Sequence, residues 1–307
     1  YFRTGDYPTA LTQLDVILRL APELRASLTP LMAQWTDDPA FAAALVAQLV
    51  GEPDWMGDVL NALRTQITKP GSGAVFVALR DAGTLTEAHT GAWLDALINA
   101  GAWDQAHRYW VSGLRLEPGS DVPLLYNGGF EHEPSQQGFD WRTGRRKGSY
   151  TQFEPADGAD GKAAHLIFSG RPVDRADLEQ ALALQPGSYE LTLRLRAVAL
   201  RSDQGLRWTV TCHGQSEPVA RGAPIEGNFK WREERMSFTV PEAGCAGLWL
   251  RLDNPAPQGS ASSVSGELWI DDVALSGRAG ELRSTKGIVT DPSRHPSENP
   301  AFPVQSG

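Results

Sequence analysis

The sequence predicts an α+β multidomain chain: an all-α, helical-repeat-like domain over residues 1–118, an antiparallel β-sandwich over 119–277, and an extended tail over 278–307. Three observations predict it. Apolar residues recur every three or four positions in the first third, the spacing of one helix face. They alternate with polar residues in the middle and later parts, the spacing of one strand face. The length, 307 residues, suits two domains of roughly 150 residues each.

Composition narrows the function classes. The chain is 41% hydrophobic and 21% charged, enough apolar residue for a packed core. Its net charge is −9, from 28 Lys and Arg against 37 Asp and Glu. A nucleic-acid binder needs a basic footprint, so that partner is not expected, and neither is an anionic membrane surface. No stretch approaches the ~18 continuous apolar residues of a membrane span; Phe41 to Val50 comes nearest and contains Gln48. The chain begins at Tyr1, and any export signal or anchor is expected to lie outside it.

In the first region Leu11, Leu14, Ile17 and Leu18 follow helical spacing, as do Phe41, Leu45 and Leu49. Thr36-Asp37-Asp38-Pro39 and Thr84-Leu85-Thr86-Glu87 are helix starts, and Gly51-Glu52-Pro53 is a stop. About seven short helices are expected. Gly5-Asp6-Tyr7 with Ala10, then Leu20-Ala21-Pro22, resembles the second half of a tetratricopeptide repeat. Gly101-Ala102-Trp103 with Ala106 and Trp110 resembles a degenerate later copy. Small residues such as Ala10 and Ala106 let stacked hairpins approach closely. The alternative is a helical bundle without repeats.

In the second region Tyr189, Leu191, Leu193, Leu195 and Ala197 alternate with Glu190, Thr192, Arg194 and Arg196. Leu206, Trp208, Val210 and Cys212 do the same, as do Leu248, Leu250 and Leu252, and Met236, Phe238 and Val240. Pro186-Gly187-Ser188 and Asp203-Gln204-Gly205 are turns. Short alternating strands separated by Gly and Pro predict a sandwich. After about Ser276 the alternation stops and Ser, Pro and charge dominate, hence the tail.

Tyr126-Asn127-Gly128-Gly129-Phe130-Glu131, followed by Gly138-Phe139-Asp140-Trp141, resembles the opening of carbohydrate-binding modules of the family 4, 9 and 22 type. Leu268-Trp269-Ile270-Asp271-Asp272-Val273 resembles their closing strand. Gln185 to Leu191, and Phe229-Lys230-Trp231 with Phe238 to Pro241, resemble strands between the two. The resemblance spans roughly Val122 to Ser276 and implies a galactose-binding-like jelly roll whose first and last segments are neighbours. It further implies a structural calcium that ties those ends together. The matching positions are the carbonyls of Gly129 and near Gly161 and the carboxylates of Glu131 and Asp271, the hard oxygens calcium takes. The alternative is a β-bulge in which Asp271 and Asp272 bond backbone amides.

Such modules hold glycans with aromatic side chains, in a cleft on one sheet or at the loop edge. Alternation sorts the candidates: Trp208 belongs to the core, Trp249 points away from Leu248 and Leu250 and is expected to be more exposed, and Trp141 is placed to line an edge. Trp231 and Trp269 are further candidates. Independently, Arg194, Arg196, Arg207 and Arg251 oppose the apolar residues of their strands. If those strands pair, they make a guanidinium stripe suited to an acidic polysaccharide. The alternatives are cross-strand pairing with Glu190, Glu233 or Glu267, and docking of this face on the acidic helical region. Arg145-Arg146-Lys147 reads as a solvated loop.

Catalytic signatures are missing from the sequence. Its six His show no metal-ligand spacing, and no nucleophile elbow, P-loop or dinucleotide fingerprint occurs. Cys212 and His213 alternate to opposite faces. Glu131 and Asp271 as a glycosidase pair is the weakest alternative. Cys212 and Cys245 lie in and just before strands; if those strands adjoin, a disulfide is expected, and otherwise two buried thiols. The expectation is a non-enzymatic, exported bacterial envelope protein, periplasmic or envelope-associated. Its sandwich contacts a polysaccharide and its helices contact a protein partner. The first rival is a docking protein whose sandwich has lost sugar binding. The second is a hydrolase with a cleft between the domains.

Overall fold

The computed structural model describes residues 5–114, 122–144, 147–173 and 175–279. The expected boundary at 118/119, Arg145 and Arg146 of the basic run, and the tail beyond 279 lie outside those residues.

Seven α-helices occupy the N-terminal region among the described residues: α1 (Tyr7–Leu20), α2 (Arg25–Trp35), α3 (Pro39–Leu49), α4 (Met56–Arg64), α5 (Pro70–Asp81), α6 (Glu87–Asn99) and α7 (Trp103–Gly113). Three starts are fixed by side chains that accept from orphan amides: Asp6 from Thr9 N, Asp38 from Ala40 N and Thr86 from His89 N. The helices pack on their next-but-one neighbours, so that α1, α3 and α5 form one row and α2, α4 and α6 another, with α7 against α6. Ala10 and Ala106 are buried, as close helix approach requires. The arrangement is a two-row helical stack.

Ten strands follow among the described residues: β1 (Arg142–Thr143), β2 (Ser149–Pro155), β3 (Lys162–Pro172), β4 (Arg175–Leu182), β5 (Gly187–Arg201), β6 (Arg207–Cys212), β7 (Pro218–Arg221), β8 (Gly227–Val240), β9 (Leu248–Asp253) and β10 (Ser263–Ala279). They form two five-stranded antiparallel sheets, β1-β4-β9-β6-β7 and β2-β3-β10-β5-β8. The last strand runs two residues past the expected end at 277. The alternating apolar residues of β5, β6, β9 and β10 point into one core between the sheets, which contains Trp208, Leu250, Leu195 and Ile270.

The opening and closing segments meet as the resemblance implies. Val273 N donates to Gly128 O at 2.9 Å. A Cβ on Gly128 would lie 1.8 Å from Val273 O, so only glycine allows this approach. Phe130 and Ile270 are both fully buried in the intersheet core.

Alternation does not foresee the third layer. The core of the helical stack continues through Phe139, Ala181 and Trp249. It therefore covers part of the outer face of the first sheet. Trp103 lies at the centre of this junction, edge-on to Trp249 at 5.6 Å and to Phe139 at 5.9 Å. A Cβ on Gly247 would fall 2.0 Å from the Trp103 ring, so this glycine makes room for the indole.

Candidate functional site

The structure corrects both aromatic expectations. Trp141 does not line an edge: it is fully buried against Phe130 and Trp208, and its indole N–H donates to Asn127 O. Trp249 is only 8% exposed, because Trp103 covers one edge and Arg142 and Arg251 lie over its ring. Each strand was read as having one wet face, and the wet face of Trp249 is dry because the helices sit on it. Trp208 is in the core, as its alternation requires.

The guanidinium stripe is likewise not formed. Arg194 and Arg196 are on β5 in the second sheet, whereas Arg207 and Arg251 are on β6 and β9 in the first. The outer faces of two packed sheets point in opposite directions, so the two pairs are on opposite sides of the sandwich. Arg251 pairs with Glu179 at 2.7 Å, and Arg194 pairs with Asp272 at 3.0 Å and donates to Gly158 O. Arg196 lies over the Trp269 ring at 5.8 Å. Cross-strand pairing thus accounts for Arg251, with a partner not among those expected. Docking on the helices claims the neighbouring Trp249.

The residues matched to the calcium ligands gather around one turn. Glu131 Oε1 accepts from Lys162 N at 2.9 Å. Gly161, at φ +89°, is a position where a Cβ would lie 2.2 Å from that same oxygen. The backbone N–H of Asp160 favours the charged form of the Asp271 carboxylate, so Glu131 and Asp271 both act at the 160–162 turn. Gly129 sits beside Gly128, which bonds Val273 two residues past Asp271. Asp271 is fully buried: Oδ1 accepts from Asp272 N at 2.7 Å, while Oδ2 has no partner among the described residues. Burial pushes its carboxyl above the ordinary carboxylate range. The bulge alternative is present in part: the β10–β5 register shifts between Asp271 and Ala274 and Asp271 accepts from a backbone amide, whereas the Asp272 carboxylate pairs with Arg194. An orphaned, buried carboxylate oxygen near a second carboxylate fits a hard cation. Among the described residues no three His, Cys, Asp or Glu side chains gather to hold a metal, and this set has only two.

Cys212 and Cys245 form a disulfide with a Cα–Cα distance of 5.2 Å, closing a 33-residue span between β6 and the entry to β9.

The outer face of the second sheet bears a cross-strand row of Gln152, His165, Trp269 and Arg196. His165 and Trp269 stack at 3.6 Å, nearly parallel, so one indole face is taken by the imidazole while Arg196 lies over the ring. Both ring nitrogens of His165 meet carboxylates, Glu154 at 2.8 Å and Glu267 at 3.1 Å. Gln152 Nε2 donates to Glu154 Oε1 at 2.8 Å.

Beside this row runs a groove of about 630 Å³ along the open edge of β2, with Tyr150, Gln152, Thr151 and Ser149 on one side and Glu133, Gln136, Thr143 and Gly144 on the other. Tyr150 is 59% exposed, the most uncovered aromatic side chain of the described sandwich. Gln136 Oε1 accepts from Thr143 N at 2.6 Å, which leaves its NH₂ group available. An exposed ring surrounded by amide, hydroxyl and carboxylate groups can contact both the apolar face and the hydroxyls of a sugar. Sequence reasoning missed this site because Ser149 to Pro155 alternates weakly. Its single signal was a Tyr in a polar run.

No family model matches the chain, and no curated protein matches it. Solved structures match about half of it. One is a family 4 carbohydrate-binding module, at TM-score 0.39 and 12% identity over 50% of this chain and 99% of that one. A cyclase from Fischerella sp. TAU, solved with 4-(1H-indol-3-yl)butan-2-one, matches at TM-score 0.33 and 17% identity over 53% of this chain and 100% of that one. The xylan-binding domain of Xyn10C from Paenibacillus barcinonensis matches at TM-score 0.33 and 13% identity over 49% and 91%. At these identities and TM-scores the likeness carries no statement about what this chain binds.

Proposed function

We propose that this chain is a non-catalytic carbohydrate-binding protein of the bacterial envelope, with the β2-edge groove as its glycan site and the helical stack as a scaffold for a protein partner. The observation that carries the reading is Tyr150, an uncovered ring among Gln152, Gln136 and Thr143 in one groove. Exposed Leu20 and Trp35, at the ends of the first two helices, and Leu24 in the turn between those helices support a protein partner for the stack. The Cys212–Cys245 bond supports export, because disulfides persist in oxidising compartments. Glu131 and Asp271, with carbonyls near Gly129 and Gly161, would hold a structural calcium that clips the sandwich ends. The ligand would be a polysaccharide, neutral or acidic.

The test is a glycan array followed by calorimetry. Tyr150→Ala is expected to weaken binding about tenfold, the loss of one aromatic anchor, with unfolding stability within about 0.5 kcal/mol of wild type because the ring is on the surface. Unchanged glycan affinity in the variant would refute the groove. Absence of binding to every neutral and acidic glycan, with calcium present, would favour the docking role, and the open edge of β2 would then be the surface for an added strand.

A further inference from the structure

One wall of the groove is built by the sandwich and the other is held by the helices. The second wall belongs to the segment 133–144, which leads from the opening turn through β1. Its far side is anchored on α6 and α7. Gln137 packs so closely on Gly91 of α6 that a Cβ there would fall 2.6 Å from the Gln137 side chain. Gly138, at φ +55°, lies against Trp110 of α7, and a Cβ there would come within 2.5 Å of that indole. Phe139 is buried among His107, Trp103 and Trp110. Arg142 completes the attachment: Nη2 donates to Asp95 Oδ1 of α6 at 2.7 Å and to Gly138 O at 3.0 Å.

The same segment is also tied to the sandwich: Arg142 and Thr143 pair with Glu179 and Leu178 of β4, Phe139 O accepts from Gln180 Nε2, and Trp141 is in the intersheet core. Ser135 N and Trp141 N both donate to Asp140, and Thr143 N donates to Gln136. These bonds shape the segment internally but do not place it against β2. The stretch ahead of β1 that carries Gln136 is backed by α6 and α7 through Gln137 and Gly138.

We propose that Asp95 and Gly91 are positioning residues of the ligand groove, so that the helical stack, together with the β1–β4 ladder, sets the groove's width although neither residue lines it. This inference rests on the groove being the glycan site, but its structural half stands without any sugar. A partner that displaces α6 would change ligand affinity, and ligand binding would change partner affinity by the same factor.

Two variants test it. Asp95→Ala removes the partner of Arg142. Gly91→Ala raises the helix propensity of α6, and so preserves its folding, while pushing Gln137 away. In both, hydrogen exchange at the Trp141 and Thr143 amides is expected to rise about three- to fivefold, the scale of one half-exposed ion pair, while the β3 and β5 amides stay at wild-type rates. Asp95→Glu is expected to restore protection. Calorimetry with cello-, xylo- and alginate hexasaccharides should show a matching three- to fivefold loss for any that bind, recovered in Asp95→Glu. Unchanged exchange at Trp141 and Thr143 in both variants would overturn the positioning role whatever the sugars do. A raised exchange rate with unchanged affinity for a bound hexasaccharide would overturn the link to the groove. If exchange rises and no glycan of the array binds wild type, the glycan reading fails while the anchoring of the wall stands.

Discussion

Trp103→Ala should weaken helices and sandwich together, because its indole belongs to both. A buried Trp removes ~150–250 Å² from water, which at ~25 cal/mol per Å² amounts to about 4–6 kcal/mol. A compact unfolded chain already hides part of that area, which lowers the figure to about 3–5 kcal/mol, the range measured for Trp truncations in cores. One feature selects the lower end. Trp103 Nε1 is buried with no hydrogen-bond partner among the described residues, so wild type already carries a desolvated donor. The expected loss is therefore about 3 kcal/mol, and Trp103→Phe, which discards the orphan N–H and keeps a ring against Gly247, should cost less than about 1.5 kcal/mol. Urea unfolding followed by far-ultraviolet circular dichroism and by tryptophan fluorescence measures both. The two signals should move together in the Ala variant. A loss below about 1 kcal/mol, or a shift confined to the helical signal, would refute a core shared between the regions.

Two further outcomes follow from the same packing. Cys212→Ser is expected to cost about 3–4 kcal/mol by releasing a 33-residue span in the unfolded chain; equal unfolding midpoints for wild type with and without reductant would contradict it. His107 is half-buried against Phe139 and Trp110, and the loss of solvent holds its imidazole below the ordinary histidine value. Its folded form favours the neutral ring, so its contribution is complete above the ordinary value of about 6.5 and is lost as pH falls through the depressed one. Stability of wild type should therefore drop on acidification more steeply than that of His107→Phe, and parallel pH curves would exclude the effect.

Much of the architecture was legible in the chain because its signals are local. Helical spacing and the caps at Asp38 and Thr86 mark helix starts, and the alternation from Tyr189 to Ala197 states which side of β5 is dry. Glu131, Gly161 and Asp271 were legible only as a pattern, and the structure adds what a pattern lacks: an orphaned buried oxygen on Asp271. The arginine stripe failed because alternation gives a residue's side of its own strand and not the sheet to which that strand belongs. Arg194 and Arg251 have equivalent local settings and lie on opposite sides of the sandwich.

By itself the sequence determined the order of classes, helices and then strands, and the dry face of each strand, since both depend on neighbours a few residues away. Tertiary structure alone decided that Trp249 is covered, that Trp141 is core, and that Tyr150 is left open at the β2 edge. Those outcomes depend on which surfaces distant parts of the chain bring together. Trp103 reaches Gly247, and Asp95 reaches Arg142, through packing that no local spacing encodes.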